Sequence, residues 1–377
     1  MKIGIYFALT TYGGVQSCII ALVKQLNKQG ITPVLIWEEP PNAKILDEHQ
    51  LRLDYEKVEV LIGRRFLNKL PHSLRYLLTP LSAVTASKLK GDYDFIYLFT
   101  NTFLNDIETP YFYYVSGPPF LPDLYPSQGI KGLRYKLFRL IYLTLLKPSF
   151  PVYEFHYDED SCAINSEFTA NLFYKSHNKR LQVIYPPTPS RISSPVERKL
   201  NRVICLSRLA PYKRQELMLE LAEAHPAVEF LIAGTVTSEN TGYLNYLRHE
   251  INVRNLKNVD VEINCSESRL DELLRSSTYY FFAAVNEHFG ITTVEAIMAG
   301  VLPFVHDSGG QVEIVPDERL RFTDETMMSG FANLTAVSPD ERREMLAHLA
   351  RNAAQFSEIE FVSSLIHRLD KISTTEI

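Results

Sequence analysis

Cysteine is scarce in this chain, and its spacing offers no ready pairs. Cys18, Cys162, Cys205 and Cys265 are the only four, and no two of them stand as C-x-x-C. That argues against a disulfide framework and fits buried thiols in a reducing compartment. Also lacking is any apolar run approaching the ~20 residues that a membrane-spanning helix requires. The opening stretch Met1 to Ala8 is apolar too briefly for a signal peptide, since Thr10-Thr11-Tyr12-Gly13-Gly14 and a polar helix follow. It reads instead as a first strand, and a cytoplasmic protein is expected. No repeat or low-complexity tract stands out. No H-x-x-x-H spacing supports zinc, so His156 and His288 read as structural.

What is present suits a folded protein of ordinary make-up. The 377 residues are 46% hydrophobic and 22% charged, enough for a sizeable core and comfortable for two domains. The net charge of -5 is unevenly spread. Up to Pro186 there are 20 Lys/Arg against 17 Asp/Glu, a balance of +3, and the remainder holds 19 against 27, a balance of -8. A mildly basic first half hints at an acidic partner or an anionic surface. No nucleic-acid partner is expected.

Strand-like and helix-like segments alternate along the chain. Short apolar runs at Lys2 to Ala8, Thr32 to Trp37, Phe95 to Phe99, Tyr111 to Val115, Ser161 to Ile164 and Leu181 to Tyr185 read as buried parallel strands. Val15 to Gln29 is a helix stopped by Gly30. Pro186 to Pro195 is rich in proline and serine and bars regular structure. The alternation then restarts, with strands at Val203 to Ser207, Val228 to Ala233, Val259 to Ile263, Tyr279 to Ala283 and Leu302 to His306. The expected fold is α/β, with two Rossmann-like doubly wound domains facing each other across a cleft. The boundaries are 1–186, a linker at 187–199, a second domain at 200–355, and a final helical segment at 356–377 that packs back on the first domain.

Three motifs carry chemistry. Asn286 to Ala296 follows a strand and opens a helix, with Glu287 in the loop and Glu295 eight residues on. Gly290 allows close backbone approach, and the N–H groups from Gly290 through Ile291 to Thr292 suit a phosphate. From the residues alone, the two carboxylates read equally as acceptors for sugar or ribose hydroxyls and as acids favoured by a helix dipole. Second, Arg208 and Lys213 stand five residues apart in a loop at a strand's carboxyl end. There they can converge on one diphosphate, Arg208 as a fork and Lys213 as a point charge. The neighbouring Arg214 reads as a solvated charge. Third, Gly13 and Gly14 sit at the first β-to-α turn, which lacks the G-x-G-x-x-G pattern.

In this order and at these distances, Gly13-Gly14-Val15, Arg208 with Lys213, and Glu287-x7-Glu295 resemble family-4 glycosyltransferases of the GT-B fold. The likeness extends through Asn165 to Thr169, Ala299 to Pro303, Ser308-Gly309-Gly310 and Glu313 to Val315. Glu287-His288-Phe289-Gly290 with Ser308-Gly309-Gly310 is similar to the mannosyltransferases that build dolichol-linked oligosaccharides. The resemblance implies a retaining transfer of a hexose, of mannose or glucose type, from a GDP- or UDP-linked sugar to a glycan or lipid-linked acceptor, with no cofactor and no catalytic metal. Arg208 and Lys213 would hold the donor diphosphate, Glu287 the transferred sugar and Glu295 the ribose. Gly14 would allow backbone contact with the donor, and Gly290 to Thr293 would complete the phosphate site. One departure stands out: where the family has a sugar-contacting His, this chain has Ser116-Gly117-Pro118-Pro119. Ser116 is therefore a candidate sugar contact.

Several features need weighing beside these. Asp92-Tyr93-Asp94 mimics a metal-binding D-x-D but precedes a strand, so it reads as a loop end. Basic residues mixed with leucine and aromatics at Arg64 to Leu67, Arg75 to Leu78 and Lys131 to Lys147 suit an anionic membrane surface as well as they suit a core helix. That would place the protein peripherally at the cytoplasmic face. A Rossmann oxidoreductase is disfavoured because neither first turn carries the dinucleotide fingerprint. A sugar-binding protein without chemistry is disfavoured too, since it usually implies export and no signal peptide is read; a GT-B epimerase or phosphorylase remains the alternative.

Overall fold

The structure is a computed structural model that describes residues 1–9, 13–58, 93–99, 107, 109–117, 140, 144, 159–188, 201–237 and 240–373. Thr11 and Tyr12, the basic residues of the three membrane-candidate segments, Asp92, His156 and linker residues 189–199 lie outside them. The chain forms two compact units, Met1–Pro187 with Glu358–Ile377, and Thr188–Ser357.

The first unit is built on strands β1 (Ile3–Tyr6), β2 (Val34–Trp37), β3 (Asp54–Lys57), β4 (Phe95–Leu98), β5 (Tyr111–Val115), β6 (Cys162–Ile164) and β7 (Gln182–Val183). Their spatial order is β3-β2-β1-β4-β5-β6-β7, and every pair is parallel. All four residues of β1, β2 and β4 are buried. Strands covered on both faces read as continuous apolar runs, which is why the sequence exposed them. β3 is different: Asp-Tyr-Glu-Lys is a mostly exposed edge strand, and charge on an edge discourages further pairing. Helices α1 (Gly14–Lys28), α2 (Ala43–His49) and α3 (Glu167–His177) complete the described part of this unit's first stretch. Ser166 caps α3 by accepting the Thr169 amide at 3.1 Å.

The second unit has strands β8 (Arg202–Leu206), β9 (Glu229–Gly234), β10 (Val259–Ile263), β11 (Tyr279–Phe282), β12 (Leu302–His306) and β13 (Arg321–Phe322), in the order β10-β9-β8-β11-β12-β13. Its helices are α4 (Glu216–Ala224), α5 (Thr241–Val253), α6 (Glu267–Arg275), α7 (Ile291–Met298), α8 (Gln311–Ile314), α9 (Met327–Ala336) and α10 (Pro339–Ala353). The order reverses between β8 and β11, and both strands end in the loops that carry the charged motifs. That is the switch point where ligands bind in doubly wound sheets.

The last helix, α11 (Glu358–Ser373), returns to the first unit. Phe361, Val362 and Leu365 are buried in the same core cluster as Ile3, Leu22 and Phe95. The Tyr114 ring meets Phe361 edge-on at 5.4 Å, and the Tyr97 hydroxyl donates to the Leu365 carbonyl at 3.2 Å. The three cysteines in or beside apolar elements, Cys18, Cys162 and Cys205, are buried free thiols. Asp94 has a structural partner, since its carboxylate accepts the Lys2 amide at 2.6 Å. Among the described residues, no helix is long and apolar enough to cross a membrane.

Removing the Phe361 ring leaves a cavity in this core. Phe361→Ala should destabilise the first unit by about 3–5 kcal/mol. Urea unfolding of the full chain should show the loss in the first unit's transition and leave the second unit's midpoint in place.

Candidate functional site

The loop after β8 is shaped by a buried glutamine. Gln215 donates through Nε2 to Ser207 Oγ at 2.8 Å and to the Arg208 carbonyl at 2.9 Å. It pulls the turn Ser207 to Lys213 back over the start of α4. Pro211–Lys213 form a single 3-10 turn, and Arg214 ends it with a left-handed φ of 56°. Arg208 is left exposed, whereas the Lys213 side chain is 13% exposed. Lys213 Nζ packs 5.0 Å from the centre of the Phe282 ring and 5.3 Å from that of Tyr212.

The loop after β11 meets it. Lys213 Nζ lies 2.5 Å from Glu287 Oε2, a charge-assisted hydrogen bond between two mostly covered side chains. Burial pushes the Glu287 carboxyl up. Lys213, with smaller help from His288 and Arg208, outweighs that and holds it below the ordinary carboxylate value. Burial and Lys213 lower His288 against the opposing pull of Glu287, which favours the neutral imidazole.

Glycines let two loops share this space. Gly290, at the N-cap of α7, has φ +112°, and a Cβ there would lie 2.2 Å from Gln311 Nε2. Gly309, at φ +69°, passes so close to the Glu287 loop that a Cβ would lie 2.3 Å from the Glu287 carbonyl oxygen. The Gly310 amide donates to that carbonyl at 2.8 Å, and Ser308 Oγ accepts the Asn286 amide at 2.8 Å. The Ser308-Gly309-Gly310 turn therefore clamps the glutamate loop from behind. Beneath it, Tyr280 Oη and Thr292 Oγ1 are 2.7 Å apart, and Thr293 Oγ1 donates to Gln311 Oε1 at 2.7 Å.

At the start of α7, the first N–H groups have no acceptor within the helix, so the Ile291 and Thr292 amides sit at its positive end. The arrangement offers two cations, a helix N-terminus and one carboxylate, all on the loops of β8 and β11. Such a set can bind a diphosphate and hold a hydroxyl-rich group beside it. Glu295 lies on the next turn of α7 and is half-buried.

The remaining candidates belong to the first unit. Gly13 caps α1 in extended backbone, φ 176°, which any residue adopts. Its carbonyl accepts the Ser17 amide at 3.0 Å. Gly14 is the exposed first residue of α1. Ser116 follows β5, and its carbonyl accepts Asn165 Nδ2 at 2.5 Å.

Arg214 corrects the sequence reading. It is not a solvated charge: its guanidinium binds Asp324 at 2.7 Å, and its side chain is 21% exposed. The partner lies 110 residues away, so no local pattern announced it. Gln215, Tyr280 and Gln311 were also missed, because a buried amide or hydroxyl among apolar neighbours leaves no periodic signal. For Ser308, the signal was the Ser-Gly-Gly string itself.

Two units, each built on a doubly wound parallel sheet, are the architecture of the GT-B class of fold. Residues 189–354 match the family model for glycosyl transferases group 1. It is similar to the GDP-Man:Man(3)GlcNAc(2)-PP-Dol alpha-1,2-mannosyltransferase of Kluyveromyces lactis, 27% identical over 240 residues that cover 56% of this chain and 40% of that protein. The human protein of the same name is 23% identical over 287 residues, covering 69% of this chain and 55% of its own. The chain thus spans about half the length of the curated relatives it matches. Among solved structures, Anabaena Alr3699/HepE in complex with UDP and glucose aligns with a TM-score of 0.66 at 16% identity, over 98% of this chain and 99% of that one. A glycosyltransferase from Rickettsia africae aligns with a TM-score of 0.67 at 14% identity, over 98% of each chain. The resemblance to glycosyltransferases and the reading of two doubly wound α/β domains both hold.

The pair has a stability signature. Glu287 is held below its unfolded value of about 4.3, so its contribution is fully present above that pH and is lost as pH falls through the folded value. Lys213→Met leaves the mostly covered carboxylate without its partner and should cost about 1–3 kcal/mol at pH 7. Denaturant unfolding of both proteins from pH 7 to pH 3 should show the gap closing below about pH 4 as the carboxyl protonates.

Proposed function

We propose that this chain is a retaining glycosyltransferase that moves a hexose of the mannose type from a nucleoside diphosphate sugar to a glycan or lipid-linked glycan. The observation that carries the reading is the Lys213–Glu287 pair at the N-terminus of α7, with Arg208 on the same loop as the lysine. Arg208 and Lys213 bind the diphosphate and offset the charge that grows on it as it leaves. The Ile291 and Thr292 amides, opened by Gly290, supply further donors. Glu287 accepts hydrogen bonds from sugar hydroxyls, and Glu295 from the ribose. Gly13 and Gly14 give the donor a backbone contact, and Ser116 hydrogen-bonds the sugar more weakly than an imidazole would.

In the transfer, the bond between the anomeric carbon and the phosphate oxygen breaks while the acceptor oxygen bonds to that carbon on the same face. The acceptor proton passes to an oxygen of the departing diphosphate. No protein base is obligatory, and the side chains act by position and charge. The fixed cations take the part that a metal ion plays in other transferases, so the reaction proceeds without one. The names of the relatives favour a guanosine donor and a lipid-linked acceptor, which would bring the protein to the cytoplasmic face of a membrane.

Arg208→Ala or Lys213→Ala should lower kcat/KM by about 10²-fold or more with an unchanged circular dichroism spectrum. EDTA should leave the wild-type rate largely intact. On the same donor and acceptor, Ser116→Ala should cost roughly tenfold or less, as for one neutral hydrogen bond. Glu287→Ala should cost much more. Wild-type turnover by the Lys213 variant, or full loss with EDTA restored by manganese, would remove the assignment.

A further inference from the structure

Four polar side chains behind the site form a chain that the transfer itself does not use. Arg214 Nη2 lies 2.7 Å from Asp324 Oδ1, and His306 Nε2 lies 3.6 Å from that same oxygen. His306 Nδ1 is 2.8 Å from Ser308 Oγ, which accepts the Asn286 amide at 2.8 Å. The ends of this chain flank the reactive pair: Arg214 follows Lys213 directly, and Asn286 directly precedes Glu287.

Both flanking residues are in the left-handed region, Arg214 at φ 56° and Asn286 at φ 55°. Non-glycine residues stay there when their surroundings hold them. Here the surroundings are the Asp324 carboxylate at one end and the Ser308 hydroxyl at the other. The linking imidazole is well covered, its side chain 12% exposed, and it stands edge-on to the Phe322 ring at 5.6 Å. The charged groups around it are Arg214, Asp324, Asp307 and Glu325; burial and Arg214 disfavour its protonation, against the three acids. A neutral His306 with its hydrogen on Nε2 faces the carboxylate and accepts the Ser308 hydroxyl on Nδ1.

We propose that Arg214, Asp324, His306 and Ser308 are positioning residues that fix the backbone on both sides of the Lys213–Glu287 pair. They thereby set the separation between the phosphate-binding lysine and the sugar-binding carboxylate. This rests on the reading of that pair as the donor site. The proposed donor site assigns none of the four a contact with the transferred group. A small shift of either loop would move a charge away from the transition state, where alignment governs the rate.

The test is a double-mutant cycle between the two ends of the chain, Arg214→Ala and Ser308→Ala, which meet through Asp324 and His306. Each single variant should lower kcat by about tenfold with little change in donor KM. The double variant should be no slower than the slower single, because either break releases the same link. His306→Gln, which keeps a donor and an acceptor, should recover most of what His306→Ala loses. The same cycle is run on the unfolding free energy of the free protein, which needs no substrate. Multiplicative losses in kcat, or coupling seen in stability alone while kcat losses multiply, would overturn the positioning role. A wild-type protein inactive on every GDP- and UDP-linked sugar would overturn the transferase reading instead. The stability cycle would then decide whether the four residues are linked, and additivity there would end the proposal as well.

Discussion

The second unit is organised around one ion pair between residues 74 positions apart, Lys213 and Glu287. Neither partner is placed by its own strand alone. Lys213 reaches the site because Gln215 anchors the preceding turn through Ser207 and Arg208, and because Phe282 gives its ammonium a ring to rest on. Glu287 reaches it because Gly309 and Gly310 leave room for the loop's backbone and the Gly310 amide then donates to the Glu287 carbonyl. Holding two mostly covered charges at 2.5 Å is favourable only while both are present, since either alone would be a partly desolvated ion. The same electrostatics that joins the two loops therefore leaves a matched cation and anion at the start of a helix.

That arrangement has a functional consequence. On the proposed reading, a diphosphate arriving at α7 would compete with Glu287 for the lysine, and a sugar arriving with it would offer Glu287 hydroxyl groups in exchange. A nucleoside diphosphate sugar carries both at once. A free phosphate offers only the first exchange, and a free sugar only the second. Under that reading, selectivity for the intact donor would follow from the pairing rather than from a larger number of contacts.

Much of the architecture is legible in the sequence. β1, β4 and β5 are short apolar runs because they are buried on both faces, and α1 ends where Gly30 stops it. β3 was illegible because a charged edge strand, Asp54 to Lys57, lacks both alternation and an apolar run. α10 went unread although Ser338 and Pro339 announce its start: Ser338 accepts the Glu341 amide at 3.2 Å. Its sparse apolar positions, Met345 and Leu349, gave the pattern little weight. In the site, Arg208, Lys213, Glu287 and Gly290 were legible from residue type and spacing. Arg214 with Asp324, and His306 with Ser308, were not, because a polar contact between distant loops depends on strand order rather than on local pattern.

The central claim is that the Lys213–Glu287 pair at the start of α7 is where the donor's diphosphate binds. The most direct measurement is a crystal structure of the chain with GDP or GDP-mannose. The account requires diphosphate oxygens within hydrogen-bond distance of Lys213 Nζ, the Arg208 guanidinium and the Ile291 or Thr292 amide, with Glu287 turned to the sugar when one is present. A nucleotide bound elsewhere, with the 2.5 Å lysine–glutamate contact intact, would contradict it.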